Sequence, residues 1–140
     1  MGWSSMKKLD NYVSALRVLS DASSQDLSNE FILGGVINKF TLQFELGWKL
    51  LKALLSYEGI AVAASGSPRE IIKASFQCFD FLDEELWLRM LRDRNDTTHI
   101  YDADKTLRLV NAVIRDYIPE FQRLAAGVEA RYGETLGELV

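Results

Sequence analysis

The chain has one histidine, one cysteine and two prolines among its 140 residues, and no apolar run near the roughly 18 residues that a membrane-spanning helix requires. A lone thiol, Cys78, excludes an intrachain disulfide and fits a reducing cytoplasm, where the protein is expected to be soluble. One imidazole and one thiol cannot build a zinc constellation within a single chain, and nothing in the sequence calls for a metal or any other cofactor. Met1 to Lys8 carries basic side chains with no apolar stretch behind them, which excludes a secretory signal. Sixteen Lys and Arg stand against 20 Asp and Glu, a net charge of −4. The chain therefore lacks the positive field of a general phosphate-backbone binder, and any nucleic-acid contact must come from a local basic cluster.

What is present is helix periodicity. With 48% hydrophobic residues, a chain of this length supports one well-filled core and not two. The spacing predicts an all-α fold, an antiparallel up-and-down bundle of about five helices around a four-helix core. Residues 1–6 read as a leader or an expression remnant, 7–132 as the domain and 133–140 as a flexible tail. Leu9, Tyr12, Val13, Leu16 and Leu19 mark a first helix, with Asp26 or Ser28 as the cap of the next. Leu33, Ile37, Phe40, Phe44, Gly47, Leu51 and Leu54 form the seam of a long second helix, in which Gly34 and Gly35 read as a kink or as its true start. Gly47 on the seam permits close approach of a neighbour, and Gly59 supplies the left-handed stop.

Ser67-Pro68-Arg69-Glu70 is a capping box with proline at the first helical position; the third helix it opens carries Ile71, Ile72, Phe76 and Phe79. Asp83 caps a fourth helix, with Leu82 stapled to Trp87, and Leu86, Trp87, Met90 and Leu91 on its buried side. Asp102 or Asp104 opens the last helix, which carries Leu107, Val110, Ile114, Tyr117, Phe121, Leu124 and Val128 and should lie along the second; Pro119 should kink or divide it.

The only histidine sits in Arg94-Asn95-Asp96-Thr97-Thr98-His99-Ile100-Tyr101. Imidazole is the side chain that ordinarily exchanges a proton near neutral pH, so His99 is the candidate acid–base group; the bland alternative is a surface or capping histidine. Five residues of ideal helix turn about 140°, which would set Arg94 and His99 on different faces. Asn95, Asp96, Thr97 and Thr98 are poor helix formers, so the helix should loosen there, letting Arg94 reach toward His99 while Asn95 orients the ring. Arg92 and Arg89 add a basic rim, unless they pair with Glu85, Asp93 or Asp96. Acid–base chemistry needs one group to take a proton and another to give one, and the single imidazole of one chain supplies half of that inventory. Two copies in a symmetric homodimer would complete it. Glu45 and Lys49, one turn apart, read first as a solvated ion pair and second as a partner-recognition feature.

The pattern of an arginine, four residues, a histidine, one residue and a tyrosine resembles the signature of the HEPN superfamily, in particular HepT-like and nucleotidyltransferase substrate-binding proteins. The stretch Phe40-Thr41-Leu42-Gln43-Phe44-Glu45-Leu46-Gly47-Trp48-Lys49 is similar to a second family block, with Thr41 departing from an expected acidic residue, and Ser67-Pro68-Arg69-Glu70 is similar to a third. The resemblance covers about Lys7 to Leu124. It implies a helical dimer with a composite cleft in which His99 moves protons and Arg94 stabilises phosphate, supported by Asn95 and Arg92. It also implies a cognate minimal nucleotidyltransferase in a toxin–antitoxin-like pair, with Tyr101 accepting AMP. Glu45, Trp48 and Lys49 are then partner or structural residues, and RNA is the substrate of an alternative endoribonuclease role.

Overall fold

A computed structural model describes residues 3–100 and 102–138, with side chains from residue 5 to residue 133. The described residues are all-α: α1 (Trp3–Ser20), α2 (Glu30–Tyr57), α3 (Pro68–Cys78), α4 (Glu84–Asp96), α5 (Ala103–Ala112) and α6 (Ile118–Glu138). A π-helical turn, Val113–Tyr117, joins α5 to α6, so the bundle has five helical rods. The sequence boundaries at Met6 and Gly133 fall within α1 and α6, while Met1, Gly2, Leu139 and Val140 lie outside the described residues. None of the described helices is long and apolar enough to cross a membrane.

The spine is α2, against which α1, α3, α4 and α5 all pack; α6 leans on α1. The last rod meets both halves of α2, Phe121 beside Phe40 at 6.3 Å and Tyr132 edge-on to Tyr57 at 5.9 Å, and packs on α1 as well. Between them, Phe40 stacks on Tyr117 at 5.4 Å and Trp87 meets Phe121 edge-on at 5.6 Å, both around Phe44. Tyr12 donates its hydroxyl to the Phe121 carbonyl at 2.7 Å, which satisfies a phenol buried among hydrocarbon and ties α1 to α6.

Local chemistry sets the helix ends. Asn29, not Asp26 or Ser28, caps α2, accepting from the Phe31 N–H at 2.8 Å. Asp26 is occupied instead by the Ser28 N–H and hydroxyl. At the other end Gly59, at φ 78°, completes a Schellman stop in which the Ile60 N–H reaches the Leu55 carbonyl and Gly59 that of Ser56. Ser67 and Glu70 close the expected capping box on α3, and Asp83 and Asp102 cap α4 and α5.

Other expectations need correction. Gly34 and Gly35 do not start α2; the helix runs through them from Glu30. Phe76, Val13 and Leu107 are exposed although they fall on the predicted apolar faces. Ahead of Pro119, the Ile118 N–H reaches back five residues to the Val113 carbonyl. The wider turn accommodates a ring that removes one backbone donor, without dividing the rod.

Two packing details hold α4 at its angle. A Cβ on Gly47 would lie 2.9 Å from the Trp87 ring, so the missing side chain admits the indole. Glu120, nearly fully buried, accepts from the Trp87 indole N–H at 3.1 Å and the Asp83 N–H at 2.8 Å. Burial pushes its carboxyl above the ordinary glutamate value.

Candidate functional site at the α4–α5 turn

The site is built where α4 gives way. After Asp96 the chain tightens into a 3-10 turn, Thr97–His99, and the Thr97 hydroxyl bonds back to the Arg94 carbonyl at 2.9 Å. The polar run that weakens helix propensity thus ends the helix as its composition predicts. Asp102 restarts it, accepting from the Lys105 N–H at 2.7 Å. His99 is exposed on this turn. Tyr101, the expected AMP acceptor, lies outside the described residues.

Arg94 bonds to α2, and no hydrogen bond joins it to His99 among the described residues. Its Nη1 lies 2.9 Å from Glu45 Oε1, and its guanidinium carbon sits 5.3 Å from the centroid of the Phe44 ring. The other Glu45 oxygen accepts from the Trp48 indole at 3.1 Å and faces Lys49 at 3.8 Å. The pair with Lys49 exists, but the shorter bond comes from α4. Glu45, Trp48 and Phe44 form a socket for Arg94, and that long-range role was invisible in the one-turn spacing.

Arg89 is likewise committed. It pairs with Asp116 at 2.7 Å and donates from Nε to the Tyr117 hydroxyl at 3.2 Å, rather than pairing with Glu85, Asp93 or Asp96. Tyr117 in turn donates to Asp93. Burial first, then the bond to Asp93, pushes the Tyr117 phenol up to about 12, so it keeps its proton at neutral pH.

Two open hollows flank the end of α4, with Asp96 lining both. The larger, of about 1010 Å³, holds Arg69, Arg92, Arg94, Asn95 and Glu85. Arg92 and Asn95 are exposed there, and neither makes a hydrogen bond or ion pair among the described residues. The smaller, of about 420 Å³, holds His99 with Lys105, Arg108 and Asp93 over a floor that includes buried Leu109. One protomer therefore gathers Arg92, Arg94 and Asn95 in one hollow and His99 in the next, and no hydrogen bond joins Asn95 to His99 among the described residues. Lys105 and Arg108 were not singled out by sequence; their spacing from Asp102 at a helix start was the available signal. Among the described residues no group of His, Cys, Asp and Glu is arranged to hold a metal ion.

No curated protein matches the chain in sequence. Residues 7–130, which span the bundle and both hollows, match the family described as nucleotidyltransferase substrate binding protein like, and the chain belongs to that family.

Proposed function

We propose that the chain is the substrate-presenting partner of a minimal nucleotidyltransferase, a HEPN-type homodimeric subunit whose Tyr101 receives the nucleotidyl group. The observation that carries this reading is the family match, whose bounds, residues 7–130, enclose the Arg94–Tyr101 stretch. Exposure of His99 and Asp102, on either side of the acceptor, supports access by a second protein. In the transfer step the Tyr101 phenolate oxygen attacks the α-phosphorus of ATP, the α–β bridging bond breaks, pyrophosphate leaves, and the phenol proton passes to a base on the transferase or to water. The added phosphodiester places negative charge beside His99 and the nearby arginines, the kind of charge change that closes an anion site. A complex on a sizing column with a cognate minimal nucleotidyltransferase is the expected result; separate elution at micromolar concentration of both proteins would remove the partner role.

A second reading, a metal-independent endoribonuclease, is favoured by the exposed His99 beside unpaired cations. One His99 takes the ribose 2′-OH proton as the 2′-oxygen attacks phosphorus, and the dimer partner's imidazole returns a proton to the departing 5′-oxygen, leaving a cyclic phosphate. On this reading Arg94 would have to leave its bond to Glu45 to reach the phosphate, in its own protomer or across the dimer. Cleavage of RNA in chelator by wild type, lost in H99A and R94A, is expected on this reading; equal inactivity of all three would remove it.

A further inference from the structure

We propose that Lys105 and Arg108 are the phosphate-holding side of the His99 hollow, and that this hollow takes the phosphate of a nucleotide, as a monoester or as a diester in a chain. The inference rests on reading His99 as a group that works on nucleotides, and it assigns the cation that this protomer's Arg94 does not supply.

The argument begins with where the arginines go. Arg94 is bound to Glu45 at 2.9 Å and Arg89 to Asp116 at 2.7 Å, so two of the three α4 guanidiniums are already engaged within the chain. Lys105 and Arg108, three residues apart, stand one helical turn from each other on α5 and line the same hollow as His99. Both are exposed, and neither has an ion pair or hydrogen bond from its side chain among the described residues. Lys105 rises from the first turn of α5, where the backbone field also favours an anion, and Arg108 from the second. Leu109 and the half-buried Ile100 give the hollow an apolar floor. Of its two carboxylates, Asp93 is engaged by the Tyr117 hydroxyl. Asp96 has no such partner among the described residues and is the group left to oppose an incoming anion.

The test is a chemical-shift titration of the full chain with AMP, with adenosine as the ligand lacking phosphate and a 2′-fluoro ribonucleotide hexamer, which resists cleavage, as the polymer. AMP or the hexamer should bind at least about tenfold more tightly than adenosine, with shifts centred on His99, Lys105 and Arg108. K105A and R108A should each weaken phosphate binding about three- to tenfold and leave adenosine unchanged, while R17A, the same charge change on α1, should not. D96N should tighten binding about threefold, a gain that a merely structural residue would not give. Binding by AMP assigns the site to a free nucleotide, and binding by the hexamer alone assigns it to a polymer; both keep the site. If wild type binds but K105A and R108A bind equally well, the assignment fails and the reading of His99 stands. If neither phosphate ligand binds, both fall. The substituted positions are exposed, and unchanged melting temperatures confirm folding.

Discussion

Arg94 Nη1 lies 2.9 Å from Glu45 Oε1, which ties the last full turn of α4 to the middle of α2. The two side chains are 24% and 30% exposed, so the pair is partly withdrawn from water and the indole of Trp48 steadies the carboxylate. Its first consequence is structural: it fixes the direction from which the α4–α5 turn departs.

Because the pair is sheltered, removing either partner should cost more than an ordinary surface ion pair. E45A and R94A are each expected to lower stability by about 1–2 kcal/mol in urea unfolding, with a coupling of about 1 kcal/mol in the double-mutant cycle. Additive effects would mean that the two groups do not interact in solution.

Glycines in α2 should respond in opposite directions. Gly34 and Gly35 face open space, so G34A and G35A should each raise stability by about 1 kcal/mol through helix propensity alone. At Gly47 the added carbon meets the Trp87 and Tyr12 rings, and G47A should cost about 1–3 kcal/mol. At Gly127, which lies in α6, it would fall 2.2 Å from the Phe81 ring, so G127A should be worse than G47A. Thermal melts of the four variants decide; equal effects at Gly34 and Gly47 would contradict the packing.

How much of this was legible follows from the range of the interactions. Ser67 with Glu70, Asp83 with Leu86, Asp102 with Lys105, and Gly59 were readable because each acts within three or four residues. The α2 cap was misplaced among Asp26, Ser28 and Asn29 because all three side chains can accept, and only the backbone path selects Asn29. Arg94 on Glu45 and Arg89 on Asp116 span 49 and 27 residues, and no periodicity encodes such pairings. Pro119 announced a disturbance in the last rod, though not that a π turn would absorb it. The candidate stretch around His99 was visible as composition; the division into two hollows depended on which way each side chain turned.

Glu120 gives a signed pH prediction. Its folded pKa is raised, chiefly by burial, so the native state holds the proton more tightly than the unfolded chain. The stabilisation from that proton is complete below the ordinary glutamate value and is lost as pH rises through the raised one. E120Q should therefore flatten the fall in stability across that interval while keeping one oxygen to accept from both Asp83 and Trp87, as Oε2 does. E120A, which strands both donors, should cost about 2–3 kcal/mol. An unchanged pH slope in E120Q, measured by urea unfolding at several pH values, would contradict the assignment.

The central claim is that this bundle presents a residue for nucleotidyl transfer, and peptide mass spectrometry after incubation with the partner transferase and ATP tests it most directly. The account predicts AMP-sized additions confined to the peptide carrying Tyr101, lost in Y101F while the complex on the sizing column persists. Additions elsewhere in the chain, or none despite a stable complex, would contradict it.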